Sequence, residues 1–257
     1  MLLSPLREVD LQTKYEGVKR FIAGELAGAG AKGLVLGLSG GLDSSIALKA
    51  CVDSVGVGAV IGLLLPEEGI TPEVDVGDAS SLASGLGVET QKIDIRPFLR
   101  AYSFLPRDRL AMGNLKARIR MSVLYYFANT QSRLVVGTGD RSEILLGYYT
   151  KFGDGGVDML PLGGIYKTEL RVLGRHLGIP SSILGKLSSP RLWEGQTAEG
   201  ELGLSYEVAD KILVALTEEK LTAPQVKERL GLGNEVDAVV RRMATSSHKR
   251  EMPHICP

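Results

Sequence analysis

Thirteen consecutive residues, Gly33-Leu-Val-Leu-Gly-Leu-Ser-Gly-Gly-Leu-Asp-Ser-Ser45, constrain this chain more than any others. The apolar run Leu34 to Leu38 predicts a buried strand; Ser39-Gly40-Gly41 breaks it, and Asp43-Ser44-Ser45 followed by Ile-Ala-Leu-Lys49 opens a helix. A strand passing through a glycine turn into a helix N-terminus gathers backbone N–H groups and the positive end of the helix dipole, which is an anion site. The glycines let the backbone come close, and the serine hydroxyls are expected to add donors. The stretch lacks the Gly-Lys-Ser/Thr ending of a Walker A loop and the spacing of Gly-x-Gly-x-x-Gly. Instead it carries Asp43. A carboxylate beside a phosphate nest repels it unless a cation lies between them, so Asp43 argues for Mg²⁺. A Gly/Ser turn with an Asp/Ser helix cap is also a common structural motif, so the stretch alone does not decide a function.

Further strands are expected at Val57 to Pro66, Val88 to Ile95 and Arg133 to Thr138, alternating with helices at Glu8 to Ala29, from Thr71-Pro72-Glu73, and at Leu110 to Asn129. This alternation predicts an α/β fold, an open and mostly parallel twisted sheet flanked by helices, with ligands at the C-terminal strand ends where Ser39, Pro66 and Thr138 fall. In the 110–129 helix, Asn114, Arg118, Ser122, Tyr125 and Asn129 make one polar stripe on an otherwise apolar surface, so the helix should be largely buried with Arg118 facing a site or partner and Arg120 pointing away. Thr138-Gly-Asp-Arg-Ser-Glu143 repeats the strand-end, glycine-turn, helix pattern and offers Glu143 as a second Mg²⁺ ligand, or as an ordinary acidic residue of a first helical turn. The loop Gly147 to Asp158, with Lys151, Asp154 and Asp158, is glycine-dense and polar in the manner of functional loops. Lys167 opens a helix against its dipole, which suggests that it answers to an anion.

Pro190 to Gly203 reads as a mobile loop carrying the chain's one tryptophan. Helices at Tyr206 to Glu219, Pro224 to Leu230 and Glu235 to Ala244 form a C-terminal helical appendage. The whole is expected to be one domain: an N-terminal helix over about 1–30, a nucleotide-binding core over about 31–180 and C-terminal helices over about 204–247. With 30 basic against 30 acidic residues, bulk charge argues against a nucleic-acid partner. Two cysteines supply no disulfide framework or metal-ligand spacing, and no signal-peptide layout or bilayer-length apolar run is present, so a cytoplasmic setting is expected.

Ser39-Gly-Gly-Leu-Asp-Ser-Ser45 resembles the Ser-Gly-Gly-x-Asp-Ser signature of the N-type ATP pyrophosphatases. Gly113-Asn-x-x-Ala-Arg-x-Arg-Met121, Gly137-Thr-Gly-Asp-Arg-Ser-Glu143, Gly147-Tyr-x-Thr-Lys-Phe-Gly-Asp-Gly155, Leu192-Trp-Glu-Gly-Gln-Thr197 and Ser247-His-Lys-Arg250 narrow the resemblance to the ammonia-dependent NAD⁺ synthetases. The resemblance covers roughly residues 10 to 253. It implies a Rossmann-like sheet of the adenine nucleotide alpha hydrolase type. The implied reaction is amidation of deamido-NAD⁺ by ATP and ammonia, giving NAD⁺, AMP and pyrophosphate. It further implies that Gly37, Leu38, Ser39, Gly40, Gly41, Leu42, Asp43 and Ser44 hold the ATP phosphates, completed by Thr138, Lys167 and Ser189. Asp43 and Glu143 would hold Mg²⁺; Arg118, Lys151, Asp158, His248 and Lys249 would bind the dinucleotide at a homodimer interface. Asp43, Lys167 and Asp158 would be the catalytic residues, Asp158 taking the proton from ammonium.

Three positions depart from the family pattern: Ser188 and Pro190 around Ser189, Ala198 in place of a loop Asp, and Asp140 in place of Asn. Cys51 lies on an apolar helical run, and the stretch before the first strand is too short for an amidohydrolase domain, so free ammonia is the expected donor. The rivals are a tRNA-thiolating relative, disfavoured by neutral charge and few cysteines, and a non-catalytic nucleotide-binding module, which has no use for Asp43, Glu143, Arg118 and the 151–158 loop together.

Overall fold

The computed structural model describes residues 8–253, 255 and 256, so residues 1–7 of the expected N-terminal segment lie outside it. The chain runs α1 (Glu8–Ala29), β1 (Gly33–Gly37), α2 (Leu42–Val55), β2 (Val60–Leu64), α3 (Glu73–Gly85), β3 (Glu89–Lys92), α4 (Arg96–Ala101), α5 (Arg109–Gln131), β4 (Arg133–Val136), α6 (Arg141–Leu146), α7 (Lys167–His176), α8 (Ser181–Leu184), α9 (Ala198–Leu202), α10 (Tyr206–Thr217), α11 (Ala223–Leu230) and α12 (Asn234–Thr245). The strands form one parallel sheet in the order β3-β2-β1-β4.

Both faces are covered, so the central strands read as continuous apolar runs. Leu34 and Leu36 of β1 point into a core shared with α1, α2, α3 and α7, through residues such as Ile22, Ile46, Ala79 and Leu170. Val35, between them, points the other way and joins Ile61, Leu63, Val135 and Ile119 of α5. This is the period-2 alternation of a strand buried on both sides. The chain moves from β1 outward to β2 and β3, then returns to place β4 on β1's other side. The strand order therefore reverses between β1 and β4, and the loops leaving those two strands face one crevice.

Three expectations about individual elements change. Val57–Ala59 is a 3₁₀ turn before β2, not part of it. The 110–129 helix is less buried than its composition suggests: Gly113, Ala117, Ile119 and Ala128 are buried, whereas Arg118, Ser122 and Tyr126 are exposed. The 190–203 segment is fastened rather than loose. Gln196 is buried, its Oε1 accepts from Leu192 N (2.8 Å), Ser189 Oγ donates to Gln196 O (2.6 Å), and α9 closes the stretch.

Cys51 is fully buried on α2, and that burial pushes its thiol up to about 12, whereas Cys256 is exposed. The thiolate is the reactive form. A maleimide should therefore modify Cys256 and spare Cys51 in the folded protein at neutral pH, and modify both in denaturant, as read by peptide mass spectrometry.

Candidate active site

The turn after β1 is built by its own serines. Ser44 Oγ and Ser45 Oγ both donate to Gly41 O (3.1 and 2.8 Å), Ser39 Oγ lies 3.0 Å from Ser44 Oγ, and Gly41 N donates to Ser39 Oγ (3.2 Å). The hydroxyls expected to face an anion thus hold the loop in shape instead. Gly40 has a φ of 74°, and its carbonyl accepts from Lys186 Nζ (2.9 Å). Lys186 also pairs with Asp75 (2.7 Å) and Asp78 (2.7 Å), while Arg191 Nε pairs with Asp75 (3.2 Å). The 186–191 segment is thereby tied to the loop and to α3. Neither Asp75 nor Lys186 carries a local motif; their sequence separation hides the pairing.

Across the crevice, Asp140 caps α6. Its carboxylate accepts from Glu143 N (2.8 Å) and Asp140 N donates to Glu143 Oε2 (3.3 Å), which is a capping box. The Asp-x-x-Glu spacing is its sequence signal. Lys167, fully buried at the start of α7, reaches the same point. Its Nζ lies 2.7 Å from Asp43 Oδ2, 2.8 Å from Asp140 Oδ2 and 3.0 Å from Glu143 Oε1, with the Tyr206 ring centroid at 5.3 Å. The anion to which Lys167 answers is therefore a set of the chain's own carboxylates. Asp140, an expected minor departure, is the most buried member of that set.

Three carboxylates facing one ammonium leave an excess of negative charge. Burial and the neighbouring carboxylates push Asp140 and Glu143 above the usual range, with Lys167 pulling them back; the carboxylates in turn hold Lys167 well above its ordinary value, against desolvation. Ligand oxygens of Asp43, Asp140 and Glu143 lie within 4.8 Å of one another, and Asp43 Oδ1 is buried without a hydrogen-bond partner. An all-oxygen, anionic set with an orphaned carboxylate oxygen suits a hard divalent cation such as Mg²⁺.

Asp43, Glu143 and Lys167 line one cavity of about 810 Å³, within the size range of small-molecule sites, with Asp140 buried behind them. Gly37 to Asp43, Thr138, Glu143, Lys167 and Ser189 line it, and Ser44 lies behind the loop. Of the residues expected to hold the dinucleotide, Lys249 lines the cavity and its Nζ donates to Gly147 O and Tyr149 O (2.7 Å each). Arg118, Lys151 and His248 gather beside it instead: Arg118 Nη2 donates to Lys151 O (3.3 Å), and Lys151 Nζ to His248 O. Arg120, which the helical wheel turns away from the polar stripe, lines the cavity with its Nε on Leu65 O (2.9 Å).

Asp158 lies outside the cavity lining, at the edge of β4. Its Oδ2 accepts from Val135 N (2.7 Å) and its Oδ1 from Tyr125 OH (3.0 Å). The expectation that it takes a proton from ammonium gains no support from this position, where both oxygens are already engaged.

A phosphate-type loop facing a carboxylate–lysine cluster at a strand-order reversal is the setting in which relatives become informative. The family described as NAD synthase matches residues 14–253. The NH₃-dependent NAD⁺ synthetase of Hyperthermus butylicus is 46% identical over 98% of this chain and 92% of its own length. That of Methanosarcina acetivorans is 45% identical over 96% and 98%. Among solved structures, the NH₃-dependent NAD synthetase of Campylobacter jejuni superposes with a TM-score of 0.82 at 30% identity, over 96% of this chain and all of the other. The NMN synthetase of Francisella tularensis gives 0.83 at 31% identity, over 96% and 98%. Sequence and fold agree, and the chain belongs to the NAD synthase family.

Proposed function

We propose that this protein amidates deamido-NAD⁺ with free ammonia at the expense of ATP, as a ligase of NAD⁺ biosynthesis. The observation that carries the reading is the convergence of Asp43, Asp140 and Glu143 on Lys167 at the end of the β1–α2 loop, with Asp43, Glu143 and Lys167 lining one cavity. A carboxylate does not accept an amine at neutral pH because its oxide leaves poorly. Transfer of AMP from ATP to that oxygen releases pyrophosphate and makes AMP the leaving group. Ammonia then adds to the acyl carbon, the C–O bond to AMP breaks, and one proton is lost from nitrogen. Such chemistry calls for positioning and charge neutralisation rather than a protein nucleophile.

In this reading the loop Gly37 to Ser44 cradles the ATP phosphates, and Thr138 and Ser189 complete the walls. Lys167 turns from its carboxylates to the phosphates when they enter. Asp43 and Glu143, with Asp140 behind them, would hold Mg²⁺, which supplies countercharge to the departing pyrophosphate. Arg118, Lys151, Asp158, His248 and Lys249 bind the dinucleotide. The exposed face of α5 carrying Arg118 and Tyr126 is where a second subunit would pack in a homodimer, completing that site. Among the described residues no helix is long and apolar enough to cross a membrane.

The test is pyrophosphate release by the purified chain with ATP, Mg²⁺ and ammonium, with and without deamido-NAD⁺. Release should depend on the dinucleotide and yield NAD⁺; no stimulation, or turnover with glutamine alone, overturns the reading. The Francisella NMN synthetase favours a second reading, amidation of the mononucleotide, so nicotinate mononucleotide belongs in the same assay as a competing substrate. Arg118→Ala should raise the deamido-NAD⁺ KM at least tenfold while leaving the ATP KM within twofold, as expected when a charged hydrogen-bond donor worth about 1.5–3 kcal/mol is removed.

A further inference from the structure

The C-terminal helices are more than an addition to the sheet. They form a separate apolar core, with Ile212, Leu213, Val236 and Val239 at its centre, that also takes in Leu146 of α6 and Tyr166 beside α7. One face of α10 reaches the active site through Tyr206 and Asp210, four residues apart and therefore stacked on the same side.

Asp210 is completely buried. Its Oδ1 accepts from Ser142 Oγ at 2.5 Å, and its Oδ2 accepts from Thr168 N at 2.9 Å and Thr168 Oγ1 at 2.8 Å. Ser142 Oγ in turn accepts from Lys167 N at 3.0 Å. One carboxylate thus engages the first turns of both α6 and α7. These are the turns that carry Glu143 and Lys167, next to Ser142 and Thr168. The Tyr206 ring, also fully buried, lies over the Lys167 ammonium.

We propose that Asp210 is a positioning residue, setting through Ser142 and Thr168 the spacing of Glu143 and Lys167, with Tyr206 as the wall that directs the lysine. The physical basis is direct. Asp210 accepts a first-turn N–H of α7 directly and reaches α6 through the Ser142 hydroxyl, and a buried anion held by two helix starts fixes both their separation and their rotation. A shift of α7 relative to α6 moves the Lys167 ammonium off Glu143, and catalytic geometry tolerates little displacement. Asp210 itself touches none of the reacting atoms. The inference rests on the reading above that Lys167 and Glu143 handle the ATP phosphates.

The experiment compares Asp210→Asn, Ser142→Ala and the double variant in the full chain. Asparagine keeps the shape but turns one acceptor into a donor; Ser142→Ala removes the hydroxyl that joins Asp210 Oδ1 to Lys167 N while leaving Asp210 on Thr168, and it keeps the test open if Asp210→Asn does not fold. Each folded variant should lose about tenfold or more in kcat, with the deamido-NAD⁺ KM within twofold of the parent. The double variant should be no worse than the poorer single one, because the residues act as one unit. Independently of turnover, acetylation of Lys167 by a water-soluble ester, measured against exposed Lys92 by peptide mass spectrometry, should be several-fold faster in each variant without nucleotide. Three results overturn the proposal: kcat within twofold in Ser142→Ala, strictly multiplicative losses in the double variant, or unchanged Lys167 labelling. If the parent chain shows no dinucleotide-dependent pyrophosphate release, the functional reading fails, and the labelling comparison still decides whether Asp210 positions Lys167.

Discussion

Lys167→Met is expected to destabilise this protein and to cut its turnover sharply. Methionine is an unbranched side chain one heavy atom shorter than lysine, and it removes the charge together with the N–H donors to Asp43 and Glu143. The cost arises in what remains: Asp43, Asp140 and Glu143 converge with no counterion, and Asp140 has no access to water. Breaking a buried ion pair from one side costs about 3–5 kcal/mol. For a chain of this size that is a fall in Tm of roughly 10 °C, at about 2–4 °C per kcal/mol. Added Mg²⁺ should restore part of that loss, and raise the Tm of the variant more than that of the parent, because it binds a set whose resident cation is gone. Turnover should fall about 10²–10³-fold, the size of effect seen when one preorganised charge-stabilising donor is removed. A melting curve within 1 °C of the parent's would show that the carboxylates find another partner.

Gly40→Ala should be the most damaging exchange of a single methyl group. Gly40 has a φ of 74°, and a Cβ there would lie 2.0 Å from the Asp75 carbonyl oxygen and 2.8 Å from its carbon. Both are backbone atoms, so no rotamer change relieves the contact. Strain at positive φ and forced displacement together amount to about 2–4 kcal/mol. Gly69→Ala separates the two contributions: its φ is 84°, but no atom lies within 4 Å of the added carbon. The Gly69 variant should lose only the backbone part, about 1 kcal/mol, and keep its ATP KM. The Gly40 variant should lose more stability and raise the ATP KM at least tenfold, since the loop cannot be displaced without moving Gly41 and the α2 N-terminus. Equal losses in the two variants by denaturant titration would assign the whole effect to backbone conformation.

Local signals made most of the scaffold legible. The helix expected at Glu8 to Ala29 has those bounds, and the Leu34–Leu38 run lies on β1 except for Leu38 just past its end, because helical periodicity and a Gly turn are properties of adjacent residues. The reversal of strand order brought Asp43 and Glu143 together, as the two strand-end motifs suggested. The misses share a different cause. Asp210 on Ser142 and Thr168, and Lys186 on Asp75, join residues whose neighbours give no hint of a partner. Asp140 carried a visible capping signal, but its burial comes from Lys167, which enters from another helix. For α5, composition suggested burial on most sides, whereas Tyr126 is exposed at 66%. Arg120 shows the limit of a helical wheel. It reaches Leu65 because the cavity opens on that side of α5, which no periodicity encodes.

The contact between Asp43 and Lys167 spans 124 positions, and the one between Lys14 and Glu169 spans 155. During synthesis the acidic residues emerge first and their cation much later. A nascent chain ending before α7 has the strands to assemble a sheet but lacks the ammonium that Asp43 and Glu143 face in the finished chain. Loop closure over such distances is slow, so the last folding step should be the arrival of α7 and α10. The chain then completes its second apolar core and its Asp43–Asp140–Glu143–Lys167 cluster in the same event.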